Sequence, residues 1–288
     1  MNPRLSLFLG ILFIAFSPIF VRLAHAPALT SAFHRMFFAW LLLMPYCLYK
    51  GLLKIDRKDI GVAILSGIIF AADISVWNIS ILKISATVST LLANLAPVWV
   101  GLLSLIILKK RSGWLFWLGT AVAIVGMIVL VGYQNIMHLQ VNIGVLLAVL
   151  ASFFYACYIL LTKSVLQRVN TITFMFYSML SSIVVLFIFN LFQGNNLVTF
   201  SAATWFYFIA TGVVCQLLGW LTINYAIKHL PSTNVSITLL SQTVFTGLLA
   251  VWLLHEKLGL TEIIGSVIVL GGIAITFLKP SSSNKIVN

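Results

Sequence analysis

The chain alternates between long apolar runs and short polar breaks along almost its whole length. The breaks carry turn residues, as at His25-Ala26-Pro27 and Gly194-Asn195-Asn196. A membrane-spanning helix needs about 20 predominantly apolar residues. On this basis the pattern predicts ten spans, numbered 1 to 10 in chain order, with approximate limits of 5–23, 30–49, 60–81, 85–108, 114–132, 142–162, 171–192, 203–227, 232–254 and 260–278.

A set of glycines recurs 146 residues later in the chain. Gly101, Gly113, Gly119 and Gly126 are matched at this offset by Gly247, Gly259, Gly265 and Gly272. Such a repeat indicates duplication of a folding unit. Ten spans in two copies give five spans per copy, and an odd number places the second copy upside down in the membrane. We therefore predict an all-α membrane protein whose ten transmembrane helices form two inverted five-helix repeats, residues 1–133 and 141–279, followed by a disordered cytoplasmic tail at 280–288.

The composition agrees with a multi-pass protein of the lipid bilayer. The chain is 61% hydrophobic and 8% charged, with a mean hydropathy of +1.13. A soluble chain of 288 residues could not bury so much apolar surface. The net charge of +12 could suggest nucleic acid. However, the basic residues form short clusters between apolar runs, so we expect no nucleic-acid partner.

The distribution of basic residues predicts the orientation. If the N-terminus is cytoplasmic, thirteen basic residues lie in cytoplasmic segments, three lie outside, and Arg35 lies within a span, which accounts for all 17. Cytoplasmic loops carry an excess of Lys and Arg. We expect the cytoplasmic (inner) membrane, with both termini in the cytoplasm. The cytoplasmic set is Arg4, Lys50, Lys54, Arg57, Lys58, Lys109, Lys110, Arg111, Lys163, Arg168, Lys228, Lys279 and Lys285, and the outer set is Arg22, Lys83 and Lys257.

Ionisable side chains inside the spans are functional candidates, because they are costly in hydrocarbon. Arg35 lies about a third of the way along span 2, and Asp73 lies in the middle of span 3. One interpretation is a structural ion pair that holds the two spans together. The alternative is that both serve transport. Arg35 would then hold a substrate carboxylate by a bidentate contact or neutralise Asp73, and Asp73 would exchange a proton.

Polar and aromatic residues also recur at helical spacing on three spans. Trp77 follows Asp73 by four residues on span 3, so both share a helix face. Span 8 carries Gln216, Trp220 and Asn224, and span 9 carries Thr238 and Gln242. Each residue alone could be a hydrogen-bonding contact between helices. Together they favour a shared polar cavity that binds substrate.

Further candidates lie on spans 4 and 6. Asn94 is a candidate substrate-binding residue, and Pro97 is a candidate hinge that should kink span 4 near residue 93. Tyr155 and Tyr158 on span 6 could line the same cavity or simply pack. His34 adjoins Arg35 but is interpreted as a core histidine.

Spans 5 and 10 contain glycine and aliphatic residues instead. Gly119 and Gly126 on span 5 are seven residues apart, as are Gly265 and Gly272 on span 10, so each pair shares a face that allows close helix approach. These spans are predicted to be scaffold helices away from the path, or the interface of a homodimer.

No metal or cofactor is predicted. The three cysteines, Cys47, Cys157 and Cys215, all lie within spans, and an odd number of buried cysteines argues against a disulfide framework or metal site. The sequence has no phosphate-binding glycine-rich loop, so ATP is not expected to be the energy source.

Several stretches resemble the EamA-type transporters of the drug/metabolite transporter superfamily, and the resemblance covers nearly the whole chain. They are the runs 17–22 (SPIFVR), 32–36 (AFHRM) and 91–97 (LLANLAP), and the loop residues His255-Glu256-Lys257 after span 9. The first half departs at the equivalent loop, where it has Lys109-Lys110-Arg111. The resemblance implies a carrier of small metabolites, often an exporter, without naming the substrate.

We therefore expect a secondary active transporter, working as an exporter by alternating access, for small solutes such as amino acids. Nucleoside-type or vitamin-type solutes are alternatives, and protons are candidate coupling ions. A membrane-embedded enzyme acting on a lipid-linked substrate is the alternative class. That class would need clustered catalytic groups, and the spans offer one Asp and no Glu clearly inside.

Overall fold

The computed structural model of the chain describes residues 2–84, 89, 92–106, 109, 112–131, 143–254 and 259–277. Every predicted span contains helix within these residues, which confirms the all-helical fold. The helices of spans 1–5 are Pro3–Ala15 with Ser17–Leu23, Ala28–Tyr49, Arg57–Lys83, Ala96–Ile106 and Trp114–Val131. Those of spans 6–10 are Ile143–Leu166, Thr171–Phe192, Ala202–Ala210 with Thr211–Gly219 and Trp220–His229, Ser232–Thr238 with Ser241–Leu254, and Leu260–Ile275.

Five helical segments in the described part of the chain are long and apolar enough to cross a membrane, judged by length and composition. They are Pro3–Leu23, Arg57–Ser80, Ile143–Leu166, Thr171–Phe192 and Ala202–His229. Span 2 has 22 residues, but it carries His34 and Arg35 in its first half. The helices of spans 4, 5 and 10 are apolar but shorter, and span 9 is divided into two pieces.

Span 9 is interrupted at Leu239 and Leu240, and three other spans also depart from a regular α-helix. Span 1 is interrupted at Phe16, and the middle of span 8, Thr211–Gly219, is a π-helix. Span 4 is interrupted at Asn94 and Leu95, just before the helix that begins at Ala96. Pro97 therefore lies in the first turn of a new helix, where a missing N–H costs no helical bond. The kink predicted near residue 93 is present as this break at Asn94 and Leu95.

The packing of the helices repeats when spans 1–5 are exchanged with spans 6–10. Span 3 packs on spans 6 and 7 as span 8 packs on spans 1 and 2, and span 4 packs on span 6 as span 9 packs on span 1. Spans 2 with 7, 4 with 9 and 5 with 10 also pack together, and the exchange maps each of these three pairs onto itself. This is the packing of two related halves around a two-fold axis. With five spans in each half, it agrees with the predicted inverted repeat.

Spans 5 and 10 pack backbone against backbone through glycine. A Cβ added to Gly272 would lie 2.5 Å from the Ala123 nitrogen and 2.7 Å from the Gly119 carbonyl oxygen. A Cβ on Gly126 would lie 2.5 Å from the Val269 nitrogen. These glycines therefore mediate a close contact between two spans of the same chain, and the predicted homodimer stays a prediction.

One end of the bundle is joined across the two halves by an ion pair. Asp59, in the first turn of span 3, accepts hydrogen bonds from Nε and Nη2 of Arg168, in the loop after span 6, at 3.0 and 2.6 Å. The nearby carboxylate raises the pKa of the exposed Arg168 guanidinium. Thr173 and Tyr177 add hydrogen bonds from span 7 to backbone carbonyls of the loop between spans 2 and 3.

Some sequence predictions concern residues outside the described part. The loop His255-Glu256-Lys257, the residues Lys110 and Arg111, and the tail 280–288 all lie there. The predicted orientation of the loop and the predicted disorder of the tail stay predictions.

Candidate functional site

A cavity of about 90 Å³ lies near the middle of the bundle, between spans 1, 2, 3, 4, 6, 8 and 9. Seven of the predicted substrate-binding residues are on its wall: Arg35, Asp73, Trp77, Asn94, Tyr155, Trp220 and Gln242. The other wall residues are Ile14, Ser17, Phe70, Ile74 and Ala93. Spans 5 and 10 contribute none of these residues. The wall thus combines one cationic and one anionic side chain with aromatic rings and amides.

Span 3 supplies one continuous face of the cavity. Phe70, Asp73, Ile74 and Trp77 occupy positions i, i+3, i+4 and i+7 of a single long α-helix, so their side chains project from the same side. Asp73 and Trp77 therefore lie on the same face of the span 3 helix, as their four-residue spacing predicts.

Arg35 is fixed in the wall by two side-chain acceptors. Its Nε donates to Oε1 of Gln216 at 2.8 Å, and its Nη1 donates to Oγ of Ser17 at 3.0 Å. Span 2 therefore presents its charge to the cavity with the support of spans 8 and 1. Nη2 makes no hydrogen bond to a described residue.

Asp73 has no such partners. No hydrogen bond joins its carboxylate to the described residues, and no ion pair joins it to Arg35, although both side chains line the same cavity. The described residues thus do not form the structural ion pair considered from the sequence. Asp73 and Tyr155 are half-buried residues on the cavity wall, and the Tyr155 hydroxyl likewise has no hydrogen-bond partner among the described side chains.

Aromatic rings pack around Trp220 at the centre of the wall. Its ring centroid lies 4.6 Å from that of Phe70, 5.2 Å from Tyr158 and 5.9 Å from Tyr155, all in edge-to-face geometry. Such contacts favour fixed ring orientations. The aromatic part of the wall is therefore a preformed apolar surface beside the two charges.

Four predicted residues do not line the cavity. Gln216 lies behind Arg35, because the π-helical turn changes the angular relation between Gln216 and Trp220 that α-helical spacing predicts. Tyr158 is buried and its hydroxyl donates to Oδ1 of Asn224 at 3.2 Å, so these two residues satisfy each other between spans 6 and 8. Thr238 donates to the carbonyl of Asn234 within its own helix at 2.6 Å.

The interrupted spans 4 and 9 meet beside the cavity. Nδ2 of Asn94, at the break in span 4, donates to Oγ1 of Thr243 at 2.8 Å. Span 9 is interrupted at Leu239 and Leu240. Backbone N–H groups there donate to the carbonyl three residues earlier, as they do around Leu95. Gln242 follows this break, and its Nε2 has a long contact of 3.4 Å with the Ile14 carbonyl. Two broken helices thus bring amides to the wall.

Sequence reasoning missed several wall residues. Ser17 lies in a run that carries the family resemblance but was not itself predicted to line the site, yet it accepts a hydrogen bond from Arg35. Phe70 could have been found, because it lies three residues before Asp73 on the face already identified. His34 is a core histidine, as expected: Nδ1 lies 2.9 Å from the Thr30 carbonyl, and the ring stacks on Phe208 at 4.4 Å.

Comparison with known proteins gives the same identification for both halves of the chain. The sequence profile of the EamA-like transporter family matches residues 3–132 and again residues 142–278. The chain is also similar along 96% of its length to a solved crystal structure, with a TM-score of 0.81 and coverage of 97% of that chain. The sequence identity is 16%, so this likeness shows the fold alone.

Individual relatives are transporters of low sequence identity. The uncharacterized transporter YdfC of Bacillus subtilis is 24% identical over 80% of this chain and 76% of its own. An uncharacterized transporter of Archaeoglobus fulgidus is 26% identical over 97% of this chain and 99% of its own. The S-adenosylmethionine uptake transporter of Rickettsia prowazekii is 23% identical over only 51% of this chain and 49% of its own.

Proposed function

Since the chain belongs to the EamA-like transporter family and is a multi-pass membrane transporter, not an enzyme, we propose that it moves amino acids or closely related zwitterionic solutes by alternating access. The cavity between spans 1, 2, 3, 4, 6, 8 and 9 is the proposed substrate site. One observation carries this proposal: Arg35 and Asp73 have opposite charges and share the cavity without pairing with each other.

A zwitterion matches that arrangement. A charge in a low-dielectric cavity is costly unless a counter-charge or hydrogen bonds compensate it. A solute carboxylate would compensate Arg35, and a solute ammonium group would compensate Asp73. The rest of an amino acid would then contact the rings of Trp77, Tyr155 and Trp220.

The proposal also covers the direction of transport, the ion that drives it and the orientation of the chain in the membrane. We propose export across the cytoplasmic membrane, with both termini in the cytoplasm and with proton exchange at Asp73. Export is supported by the resemblance noted in the sequence, and the orientation by the excess of basic residues in the proposed cytoplasmic segments. The small, partly open cavity of the described state supports a site that binds solutes one at a time.

A second candidate is a larger solute that joins an amino acid to a nucleoside. The half-length similarity to S-adenosylmethionine uptake transporters favours this class, as does the aromatic wall. Those relatives are named for uptake, so the test must measure flux in both directions. Nucleosides and vitamin-type solutes belong in the same comparison.

The test is transport by the purified protein in liposomes, with and without a pH gradient. The solutes are radiolabelled L-phenylalanine, phenethylamine, a nucleoside and S-adenosylmethionine, and both influx and efflux are measured. We expect saturable flux of the amino-acid solutes. Ala93→Phe fills the cavity and should abolish this flux, whereas the same change at the exposed Ala202 should retain it. The absence of saturable flux for every solute would contradict the proposal.

A further inference from the structure

Gln216 contacts the substrate site only through Arg35. It is 3% exposed, it is not on the cavity wall, and Oε1 accepts the hydrogen bond from Nε of Arg35 at 2.8 Å. Arg35 itself is 7% exposed and does line the cavity. The amide therefore acts on the guanidinium from behind and is out of reach of a solute.

The two acceptors fix the guanidinium plane. Gln216 holds Nε, and Ser17 holds Nη1 at 3.0 Å, so the planar group is held at two points from two different spans. Guanidinium groups bind carboxylates through paired, coplanar N–H groups, which makes their orientation decisive. No described residue accepts a hydrogen bond from the remaining N–H groups, which include both on Nη2, and these groups can meet a solute carboxylate.

The backbone around Gln216 is also positioned closely against span 2. Gly212, in the same π-helical segment, packs so tightly that an added Cβ would lie 2.8 Å from Cβ of Phe38 and 3.1 Å from the Arg35 carbonyl oxygen. π-helical turns are frequent at functional sites. Here the turn directs Trp220 into the cavity and Gln216 onto Arg35.

We infer that Gln216 is a positioning residue that sets the affinity of the transporter for the carboxylate of its solute by orienting Arg35. The inference rests on the proposed function, because it assumes that Arg35 binds a solute carboxylate. It assigns Gln216 a role different from the direct substrate contact expected from the sequence. Gln216 should matter only for solutes that carry a carboxylate and only while Arg35 is present.

A double-mutant cycle with two probes tests this role. L-phenylalanine carries a carboxylate, and phenethylamine is the same molecule without it. In Gln216→Leu we expect KM for L-phenylalanine to rise about tenfold, the typical effect of losing a hydrogen bond to a charged group, with little change in the maximal rate. KM for phenethylamine should stay unchanged. In an Arg35→Gln background, adding Gln216→Leu should change KM for L-phenylalanine no further.

Controls separate this role from a loss of folding. Gln193→Leu makes the same chemical change at an exposed position after span 7 and should behave as wild type. If Arg35→Gln does not yield folded protein, Arg35→Lys completes the cycle, because it keeps the charge but lacks Nε–H.

The outcomes distinguish the inference from the proposed function. An equal KM increase for both probes, or additive effects in the double mutant, would overturn the inference and leave the transport function standing. A lowered maximal rate with unchanged KM would overturn it as well. No saturable flux of either probe in the wild type would overturn both.

Discussion

At the residue scale, the cavity carboxylate of Asp73 is the group whose role can be isolated most cleanly. It has no hydrogen-bond or direct ion-pair partner among the described residues, so Asp73→Asn breaks no hydrogen bond and removes only the longer-range attraction between Asp73 and Arg35. We expect the variant to fold with a stability change within about 1 kcal/mol. Because the amide cannot exchange a proton, it should lose flux driven by a pH gradient but retain exchange of solute. Liposome flux with and without the gradient measures both properties.

A matched substitution and a second mutant sharpen this prediction. Asp56→Asn makes the same change at an exposed position before span 3, where the side chain caps no backbone N–H, and should transport normally. Asp73→Ala should not be rescued by Arg35→Ala, since the two groups form no ion pair. Wild-type proton-coupled flux in a folded Asp73→Asn protein would remove Asp73 from the mechanism and leave exchange driven by the solute gradient alone.

The individual site residues show what a sequence can reveal at this scale. Arg35 and Asp73 were identified because a charge in an apolar span is conspicuous, and Trp77 because it shares the face of Asp73. Gln216 and Asn224 stood out equally as amides, but their partners, Arg35 and Tyr158, come from other spans. Which amides face a cavity and which satisfy a neighbour depends on how the helices pack.

At the element scale, the contact between spans 5 and 10 predicts a sharp difference between two adjacent glycines. A Cβ on Gly272 would overlap the backbone of span 5, whereas a Cβ on Gly271 would meet nothing within 4 Å. We expect Gly272→Ala to destabilise the protein by about 1–3 kcal/mol through overpacking. Gly271→Ala should be neutral or slightly stabilising, because alanine favours helix over glycine. Thermal unfolding of the purified proteins in detergent compares the two.

The variants Gly272→Ala and Gly271→Ala also test whether spans 5 and 10 line the transport path. Neither helix contributes a residue to the cavity wall, so folded Gly272→Ala should bind and transport solute with unchanged KM. Normal thermal stability combined with an altered KM would contradict the scaffold role. An equal loss of stability in Gly271→Ala would contradict the packing argument itself.

The broken helices mark the limit of prediction at this scale. Pro97 predicted an irregularity in the helix of span 4, because proline cannot donate a backbone hydrogen bond. Span 9 is interrupted in a similar way at Leu239 and Leu240 with no proline nearby, and the π-helix of span 8 likewise has no sequence signal that we recognise. The breaks of spans 4 and 9 are joined by the hydrogen bond from Asn94 to Thr243, a contact between spans that the sequence does not reveal.

At the scale of the whole molecule, the architecture could be predicted because it depends only on the number of spans and on the relation between the two halves. Span number follows from the spacing of polar breaks, and the relation of the halves follows from the glycine offset and an odd count per half. The exchange-symmetric packing of spans 3 and 8 on their neighbours agrees with that reasoning. The chemical asymmetry of the halves could not be predicted from it. Asp59 and Arg168 form an ion pair where spans 3 and 6 meet. Where the equivalent spans 8 and 1 meet, the rings of Tyr207 and Phe20 are in contact instead.

The last prediction concerns orientation, which the inverted architecture fixes once a single loop is located. With thirteen basic residues on one side and three on the other, Lys54 should face the cytoplasm, and Val198 and Glu256 should face outward. Cysteines introduced at these positions should therefore differ in their reaction with a membrane-impermeant maleimide. Lys54→Cys should react only after the cytoplasmic side is opened. Val198→Cys and Glu256→Cys should react in intact cells. Lys54 and Val198 are exposed. Of the native cysteines, Cys47 and Cys215 are buried and Cys157 is half-buried, so labelling of the wild-type protein measures the background. Labelling of position 256 from the cytoplasmic side alone would refute both the topology and the inversion, since five spans per half place this loop opposite its counterpart at Lys109.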